Sequence, residues 1–225
     1  MKTPLAFFLF FIVSTINCKS QTEKELHYVA LGDSYTIGTG AQAQQAWPAL
    51  LTGHLNNKNV SVRLVANPAG NGFSTQNLID LELPVFDTCH ADFATLLIGV
   101  NDWVRGADKE TFEKNLHLIV EHVQQKLPAK KNLLLITIPD FGVTPQGGVY
   151  SRGRDISKGI TEFNEIIKAT AKKYGLDCVD IFPVSRKMKD NASLVAEDGL
   201  HPSAKEYAIW ETLILPAALK LLETE

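Results

Sequence analysis

Short apolar segments of strand length alternate with amphipathic helical segments along most of this 225-residue chain. Strands are expected over residues 26–31, 60–66, 93–100, 133–138 and 177–181. The third and fourth are almost unbroken apolar runs, which is typical of strands buried on both faces of a sheet. The alternation therefore predicts an α/β fold with a parallel sheet, whose right-handed crossovers place helices on both faces.

Three long helical patterns separate or follow these strands. Apolar residues recur at helical spacing over residues 108–127 and again over 156–174, and a last helix is expected from Pro202 to about Leu222. The first of these begins at Asp108, a favourable N-cap residue. The chain length and an apolar content of 45% suit one well-cored domain, which we assign to residues 26–225.

A serine follows the first predicted strand directly, in Gly32-Asp33-Ser34, and Asp198 and His201 occur near the end of the chain. A serine hydroxyl is a poor nucleophile unless a base removes its proton, and a histidine oriented by a carboxylate is such a base. Because Asp198 precedes His201 by three residues, its carboxylate can reach one ring nitrogen and fix the tautomer. The sequence therefore supplies the three groups that nucleophilic catalysis requires.

Two further motifs follow the second and third predicted strands. They are Asn-Pro-Ala-Gly-Asn-Gly over residues 67–72 and Gly-Val-Asn-Asp over residues 99–102. Backbone N–H groups and asparagine amides are donors that stabilise a developing oxyanion. In a parallel α/β sheet, ligands bind beyond the carboxyl ends of the strands. Since the motifs and a Gly-rich loop over residues 141–154 all follow strands, we expect one site at that edge.

Together these motifs resemble those of the SGNH, or GDSL, hydrolase family, from about His27 to the final helix. The resemblance implies a three-layer α/β/α sandwich around a five-stranded parallel sheet of flavodoxin-like order. It also implies catalysis through an acyl-enzyme without a cofactor. The matching residues are Ser34, Asp198 and His201 for the catalytic triad and Ser34, Gly72 and Asn101 for the oxyanion hole. One departure from the family motif is Tyr35, which stands in place of leucine.

Six other residues are candidates for substrate binding because they follow Asn101 closely or lie on the loop after the fourth strand. They are Trp103, Arg105, Phe141, Tyr150, Arg152 and Arg154. For the loop residues, a solvated loop without a role in binding is the alternative. No metal site is expected, because His117 and His122 do not share a helix face and His27, His54 and His90 stand alone.

The first 17 residues are typical of an export signal, with Lys2 followed by an apolar run over residues 5–16 that is too short to span a bilayer. Cys18 comes directly after this run and resembles the lipidated cysteine of a bacterial lipoprotein. Ordinary cleavage after Ser20 is the alternative. Residues 18–25 form a linker to the domain. The protein is thus expected in the periplasm or at the outer membrane as a lipoprotein, or else secreted.

Two cysteines remain, Cys89 and Cys178, and we expect free thiols because each precedes a different, non-neighbouring strand. Basic residues are scattered and the formal net charge is −3, which argues against nucleic-acid binding. The expected partner is a small-molecule, carbohydrate or lipid ester, and a monomer is expected.

The sequence thus predicts an exported serine esterase that acts on O-acetyl sugars, short-acyl esters or lysophospholipids. The alternative is a surface lipoprotein that keeps the fold and binds carbohydrate or lipid without turnover.

Overall fold

Five parallel strands form one sheet in the computed structural model, which describes residues 24–222. The strands are β1 Leu26–Gly32, β2 Val62–Ala66, β3 Phe93–Leu97, β4 Leu133–Ile136 and β5 Cys178–Val179. Their order is β2-β1-β3-β4-β5, and every pairing is parallel. The predicted α/β class and flavodoxin-like order are therefore confirmed.

Helices of very different lengths connect the strands. They are α1 Ser34–Ile37, α2 Trp47–Asn57, α3 Thr75–Asn77, α4 Leu83–Cys89, α5 Val100–Arg105, α6 Lys109–Lys126, α7 Ile156–Tyr174, α8 Phe182–Ser185 and α9 Ala204–Leu222. A π-helical turn, Leu78–Glu82, joins α3 to α4. The 3₁₀ turns are Ala43–Gln45, Phe141–Val143, Gly147–Tyr150, Arg186–Lys189 and Ala192–Leu194.

The helices form a layer on each face of the sheet. On one face α2 packs against α9, and on the other α6 packs against α4 and α7. All residues of β3 and β4 are buried between these layers, as their unbroken apolar sequences predict. Within residues 24–222, none of the helices has the length and apolar character needed to traverse a bilayer.

Several strands are shorter than the sequence predicts. β3 ends at Leu97 because the chain turns at Gly99, whose φ of 124° directs it into α5. β5 has only two residues, which pair with the last two residues of β4. The three long helices match their predicted positions, and Asp108 caps α6 by accepting a hydrogen bond from the Thr111 N–H at 2.7 Å.

The predicted signal over residues 1–17 and Cys18 lie outside the described residues. Of the predicted linker 18–25, only Lys24 and Glu25 are described. Lys24 pairs with Asp92 at 2.6 Å, so this end of the linker is fixed to the domain. Cys89 and Cys178 are free thiols.

A cluster of buried aromatic side chains supports the turn after β1. The Tyr35 ring lies edge-on to Trp210, with the centroids 5.9 Å apart, and Trp210 in turn contacts Tyr207. Two buried aromatic side chains also donate hydrogen bonds to this turn. The Trp47 indole donates to the Tyr35 carbonyl at 3.0 Å, and the Tyr207 hydroxyl donates to the Thr39 carbonyl at 2.8 Å. The cluster therefore holds the turn by directional bonds as well as by apolar burial.

Two carboxyl groups, Asp33 and Glu82, are fully buried near the end of β1. Glu82 accepts a hydrogen bond from the Gly32 N–H at 2.9 Å, and Asp33 accepts one from the Tyr35 N–H at 3.0 Å. The second oxygen of each carboxyl has no hydrogen-bond partner among the described residues. Both pKa values are raised to about 8, mainly by burial. Repulsion contributes to the rise, from the ionised form of Asp102 for Asp33 and from the ionised form of Asp33 for Glu82.

These pKa values predict that the protein loses stability as the pH rises from about 4 to about 8. Carboxyl groups of an unfolded chain titrate near pH 4, so in this range the folded state binds more protons than the unfolded state. Glu82→Gln keeps an oxygen acceptor for Gly32 but cannot ionise, and it should make the loss shallower. Urea unfolding at pH 5, 7 and 9 measures this, with the exposed Glu110→Gln as the matched control. The same pH dependence in wild type and Glu82→Gln would contradict the prediction.

Candidate active site

Loops that follow all five strands open onto one cavity of about 370 Å³ at the carboxyl edge of the sheet. Its lining residues are Ser34, Tyr35, Thr39, Asn71, Gly72, Val100, Asn101, Val104, Phe141, Tyr150, Leu200 and His201. Four residues that the sequence marks for catalysis, Ser34, Gly72, Asn101 and His201, therefore share one cavity wall.

Ser34 is the first residue of α1, immediately beyond β1. A Cβ atom at position 32 would lie 2.3 Å from the Leu97 carbonyl oxygen, so only glycine fits where β1 meets β3. Asp33 is the N-cap of α1 and accepts from the Tyr35 N–H, which fixes the tight turn. As a first-turn residue, Ser34 has a backbone N–H that the helix itself does not use. Both its hydroxyl and its N–H are thus available at the cavity.

Asp198 and His201 form a hydrogen-bonded pair within one short loop. The Asp198 Oδ2 atom lies 2.6 Å from His201 Nδ1, and its Oδ1 atom accepts from the backbone N–H groups of Leu200 and His201, both at 2.9 Å. Partial burial raises the pKa of Asp198, but the hydrogen bonds from His201 and the two N–H groups outweigh this and hold it below its ordinary value. An ionised Asp198 can therefore orient the imidazole and leave Nε2 for the cavity.

The Ser34 hydroxyl and the His201 ring line the same cavity without a hydrogen bond between them in the described part of the chain. Catalytic hydrogen bonds are often long in structures without substrate and tighten in the reacting complex. The arrangement is thus compatible with proton transfer from Ser34 to His201.

Two candidate oxyanion donors approach the cavity beside Ser34. The Asn101 amide nitrogen donates to the Phe73 carbonyl at 2.9 Å, and this bond uses one of its two hydrogens and leaves the other. Gly72, whose N–H is the donor expected from the sequence, has φ +77°, a conformation that favours glycine, and lines the cavity. With the Ser34 N–H, these groups could surround a negatively charged oxygen.

Of the six residues considered for substrate binding, Phe141 and Tyr150 line the cavity. Arg152 is exposed and does not line it. Trp103 is buried behind Phe141, with the ring centroids 5.9 Å apart, and Arg154 covers its other side at 3.9 Å. Trp103 and Arg154 are therefore parts of the wall behind the cavity.

The two arginines nearest α5 bond to backbone instead of facing the cavity. Arg154 donates to the carbonyls of Trp103 and Val104 at 2.7 and 3.1 Å, close to the C-terminal end of α5. Arg105 donates to the Gly72 carbonyl at 2.7 Å. Both side chains therefore connect α5 to neighbouring loops.

Helix periodicity explains why Val104, and not the expected Trp103, lines the cavity from α5. Residues two apart on a helix lie on different sides, so Trp103 turns away from Asn101, whereas Val104, three residues on, shares its face and lines the cavity. Tyr35, Asn71 and Leu200 were missed although each adjoins a candidate catalytic residue. Thr39 has no sequence signal; it lines the cavity, and its hydroxyl donates to the Asn71 side chain.

Among residues 24–222 there is no group of three or more His, Cys, Asp or Glu side chains arranged to hold a metal ion.

Comparisons with known proteins agree with the resemblance seen in the sequence. The multidomain esterase of Ruminococcus flavefaciens is 34% identical over 119 residues, which are 52% of this chain but only 14% of that protein. The thioesterase 1/protease 1/lysophospholipase L1 of Escherichia coli K12 is 26% identical over 197 residues, 87% of this chain and 83% of that protein. A family 3 carbohydrate esterase of Clostridium thermocellum has the same fold, with a TM-score of 0.70 at 16% identity over 89% of this chain and 98% of that one.

The sequence model of the GDSL-like Lipase/Acylhydrolase family matches residues 30–209, the span from β1 to the first turns of α9. The family resemblance predicted from the motifs is confirmed. The chain belongs to the GDSL-like lipase/acylhydrolase family of serine ester hydrolases.

Proposed function

We propose that the protein is an exported esterase that hydrolyses carboxylic esters through an acyl-enzyme on Ser34. The observation that carries the proposal is the shared cavity, where Ser34, the Asp198-oriented His201 and the donors Gly72 and Asn101 meet. The family to which the chain belongs and its esterase relatives support the same reaction class.

In the proposed reaction, His201 accepts the hydroxyl proton as Ser34 Oγ bonds to the ester carbonyl carbon. The carbonyl electron pair moves onto oxygen, which the N–H groups of Ser34 and Gly72 and the Asn101 amide stabilise. The intermediate collapses when the C–O bond to the alcohol breaks and His201 protonates the leaving oxygen. Water then attacks the acyl-enzyme in the same way, releasing the carboxylic acid and regenerating Ser34.

Ser34 and His201 should behave as one catalytic unit. Ser34→Ala and His201→Ala should each lower kcat by about 10³-fold or more, and the double variant should be little worse because both remove one proton transfer. Hydrolysis of a nitrophenyl ester measures kcat, and rapid labelling by a fluorophosphonate probe reports an activated serine. Ser193→Ala, which removes an exposed hydroxyl outside the cavity, is the control.

Multiplicative losses, or labelling that survives Ser34→Ala, would contradict the assignment. A wild type that neither turns over esters nor labels would favour the non-catalytic binding lipoprotein.

The lining of the cavity favours an uncharged ester with a short acyl group. Among residues 24–222, no Lys, Arg, Asp or Glu side chain lines it, and Val100, Val104, Phe141 and Leu200 supply apolar surface. Its volume of about 370 Å³ is near the lower end of the usual range for small-molecule sites, about 300–1,000 Å³. Acetylated sugars and short-chain esters are uncharged and carry short acyl groups. The carbohydrate esterase with the same fold is in keeping with acetylated sugars as substrates.

A substrate screen should therefore favour short chains. We expect kcat/KM to fall from acetyl to palmitoyl nitrophenyl esters, with acetylated sugars hydrolysed faster than lysophospholipids. Val104→Ala should move the optimum to longer chains by removing apolar bulk from the cavity wall, whereas Val149→Ala, at a residue that is 73% exposed and outside the lining, should leave it in place. A wild-type preference for palmitoyl esters or lysophospholipids would overturn the short-acyl assignment but not the esterase.

Export and anchoring are proposed from the first residues of the sequence. The apolar run and Cys18 support a signal that directs the protein to the periplasm or the outer membrane as a lipoprotein. A diacylglyceryl thioether with an N-terminal acyl chain supplies enough buried methylene groups for stable anchoring, at about 0.8 kcal/mol each.

Cys18→Ala should prevent membrane fractionation while leaving the esterase activity of the protein intact, since the first strand begins at Leu26. Mass spectrometry of the mature N-terminus checks this in the wild type, where a lipidated Cys18 is expected. Cys89→Ala is the control, because it removes a free thiol that lies outside the signal in the sequence. An unlipidated mature protein that begins at Gln21 would show ordinary cleavage after Ser20 and overturn the lipoprotein assignment.

A further inference from the structure

Asn101 and Arg105, one helical turn apart on α5, bind adjacent carbonyl groups of the loop that carries Gly72. Asn101 donates to the Phe73 carbonyl at 2.9 Å, and Arg105 donates to the Gly72 carbonyl at 2.7 Å. Residues four apart on a helix lie on the same face. One helix face therefore fixes two successive peptide groups of this loop.

Arg105 also reaches the segment that follows the loop. Its second terminal nitrogen lies 3.1 Å from Ser74 Oγ and 3.0 Å from Asn77 Oδ1, the two side chains that cap α3. Although the residue is exposed, its guanidinium thus bonds at three points to one short segment. The planar, multi-donor geometry that this requires is available to arginine and not to lysine.

Gly72 needs such a restraint more than other residues do. Its φ of +77° lies in a region that glycine enters at little cost, but glycine also rotates more freely than any residue with a side chain. The orientation of its N–H relative to its carbonyl depends on the two dihedral angles at this residue. Holding the carbonyl through Arg105 therefore limits the directions in which the N–H can point.

We propose that Arg105 is a positioning residue, which holds the Gly72 N–H in register with the Asn101 amide so that both donors reach the same oxyanion. This inference rests on the proposed esterase function. Arg105 does not line the cavity and so acts through the Gly72 loop, without touching substrate. The substrate-binding role expected from its sequence position is replaced by this role.

The test compares Arg105→Gln and Arg105→Lys with Arg154→Gln. Arg154 is a matched control because it also donates to two adjacent partners on α5, the carbonyls of Trp103 and Val104, but makes no bond to the Gly72 loop. Arg105→Gln should lower kcat for a nitrophenyl ester by about 10- to 100-fold, less than the 10²- to 10³-fold typical of deleting a donor, with KM within about twofold. Arg105→Lys can keep one bond to the Gly72 carbonyl, so its kcat should lie between those of the wild type and Arg105→Gln.

A second readout separates positioning from a general loss of structure. An alkyl trifluoromethyl ketone accepts Ser34 Oγ at its carbonyl carbon, passes the serine proton to His201 and places an oxyanion where the ester intermediate would have one. If Arg105 positions a donor, the inhibition constant should rise by the same factor as kcat/KM falls. In Arg154→Gln, the melting temperature can fall, but the inhibition constant of the ketone should not rise in proportion to any fall in kcat/KM.

Four results would overturn the inference. A rise in KM at unchanged kcat would make Arg105 a substrate-binding residue. Losses in Arg105→Gln that match those of Arg154→Gln and follow melting temperature would make it structural only. A wild type without Ser34-dependent turnover would overturn the proposed function and this inference with it, whereas full kcat in Arg105→Gln would overturn the inference alone.

Discussion

Burial of the central strands on both faces is the constraint on which the rest of the molecule depends. β3 and β4 are enclosed between two helical layers, and their side chains are apolar except for Thr95, whose hydroxyl bonds to that of Tyr28 at 2.8 Å. The polar side chains of the cavity therefore meet where the strands end and the backbone leaves the sheet. The parallel arrangement brings all five of those ends to one edge, so chemistry separated by up to 167 positions in sequence meets in one cavity.

Much of the fold and of the candidate site could be predicted from the sequence, because the patterns that determine them are local. A strand-to-helix turn that requires Gly32, a histidine three residues after its carboxylate and apolar runs of strand length each lie within a few residues of sequence. The sheet order followed from the family resemblance, and the family itself from four short motifs. The directions of the side chains on α5 could not be predicted in this way. Trp103 faces Phe141 and Arg154, and Arg105 faces the Gly72 loop, because of their angular positions around the helix.

The Asp198–His201 side of the candidate site and the side with the oxyanion donors also differ in how much of their geometry is local. Asp198 and His201 are joined within one loop by their own backbone and side-chain bonds. The donor side is assembled from segments about 30 residues apart, and it is held together by side chains of α5 that reach the Gly72 loop. Asp102 contributes to the same connection, since it accepts from both the N–H and the hydroxyl of Thr75. The sequence could indicate the donors, but their alignment depends on contacts that no local pattern encodes.

The buried carboxyl groups Asp33 and Glu82 affect the electrostatic potential at the candidate nucleophile. A reaction that builds negative charge next to Ser34 is opposed by any anion fixed nearby in a medium of low dielectric constant. Their pKa values of about 8 mean that both groups are largely uncharged at neutral pH. The turn thus obtains two hydrogen-bond acceptors for its backbone without placing two negative charges next to the turn that carries Ser34. The same burial that leaves two oxygens without partners keeps the local potential favourable for an anionic intermediate.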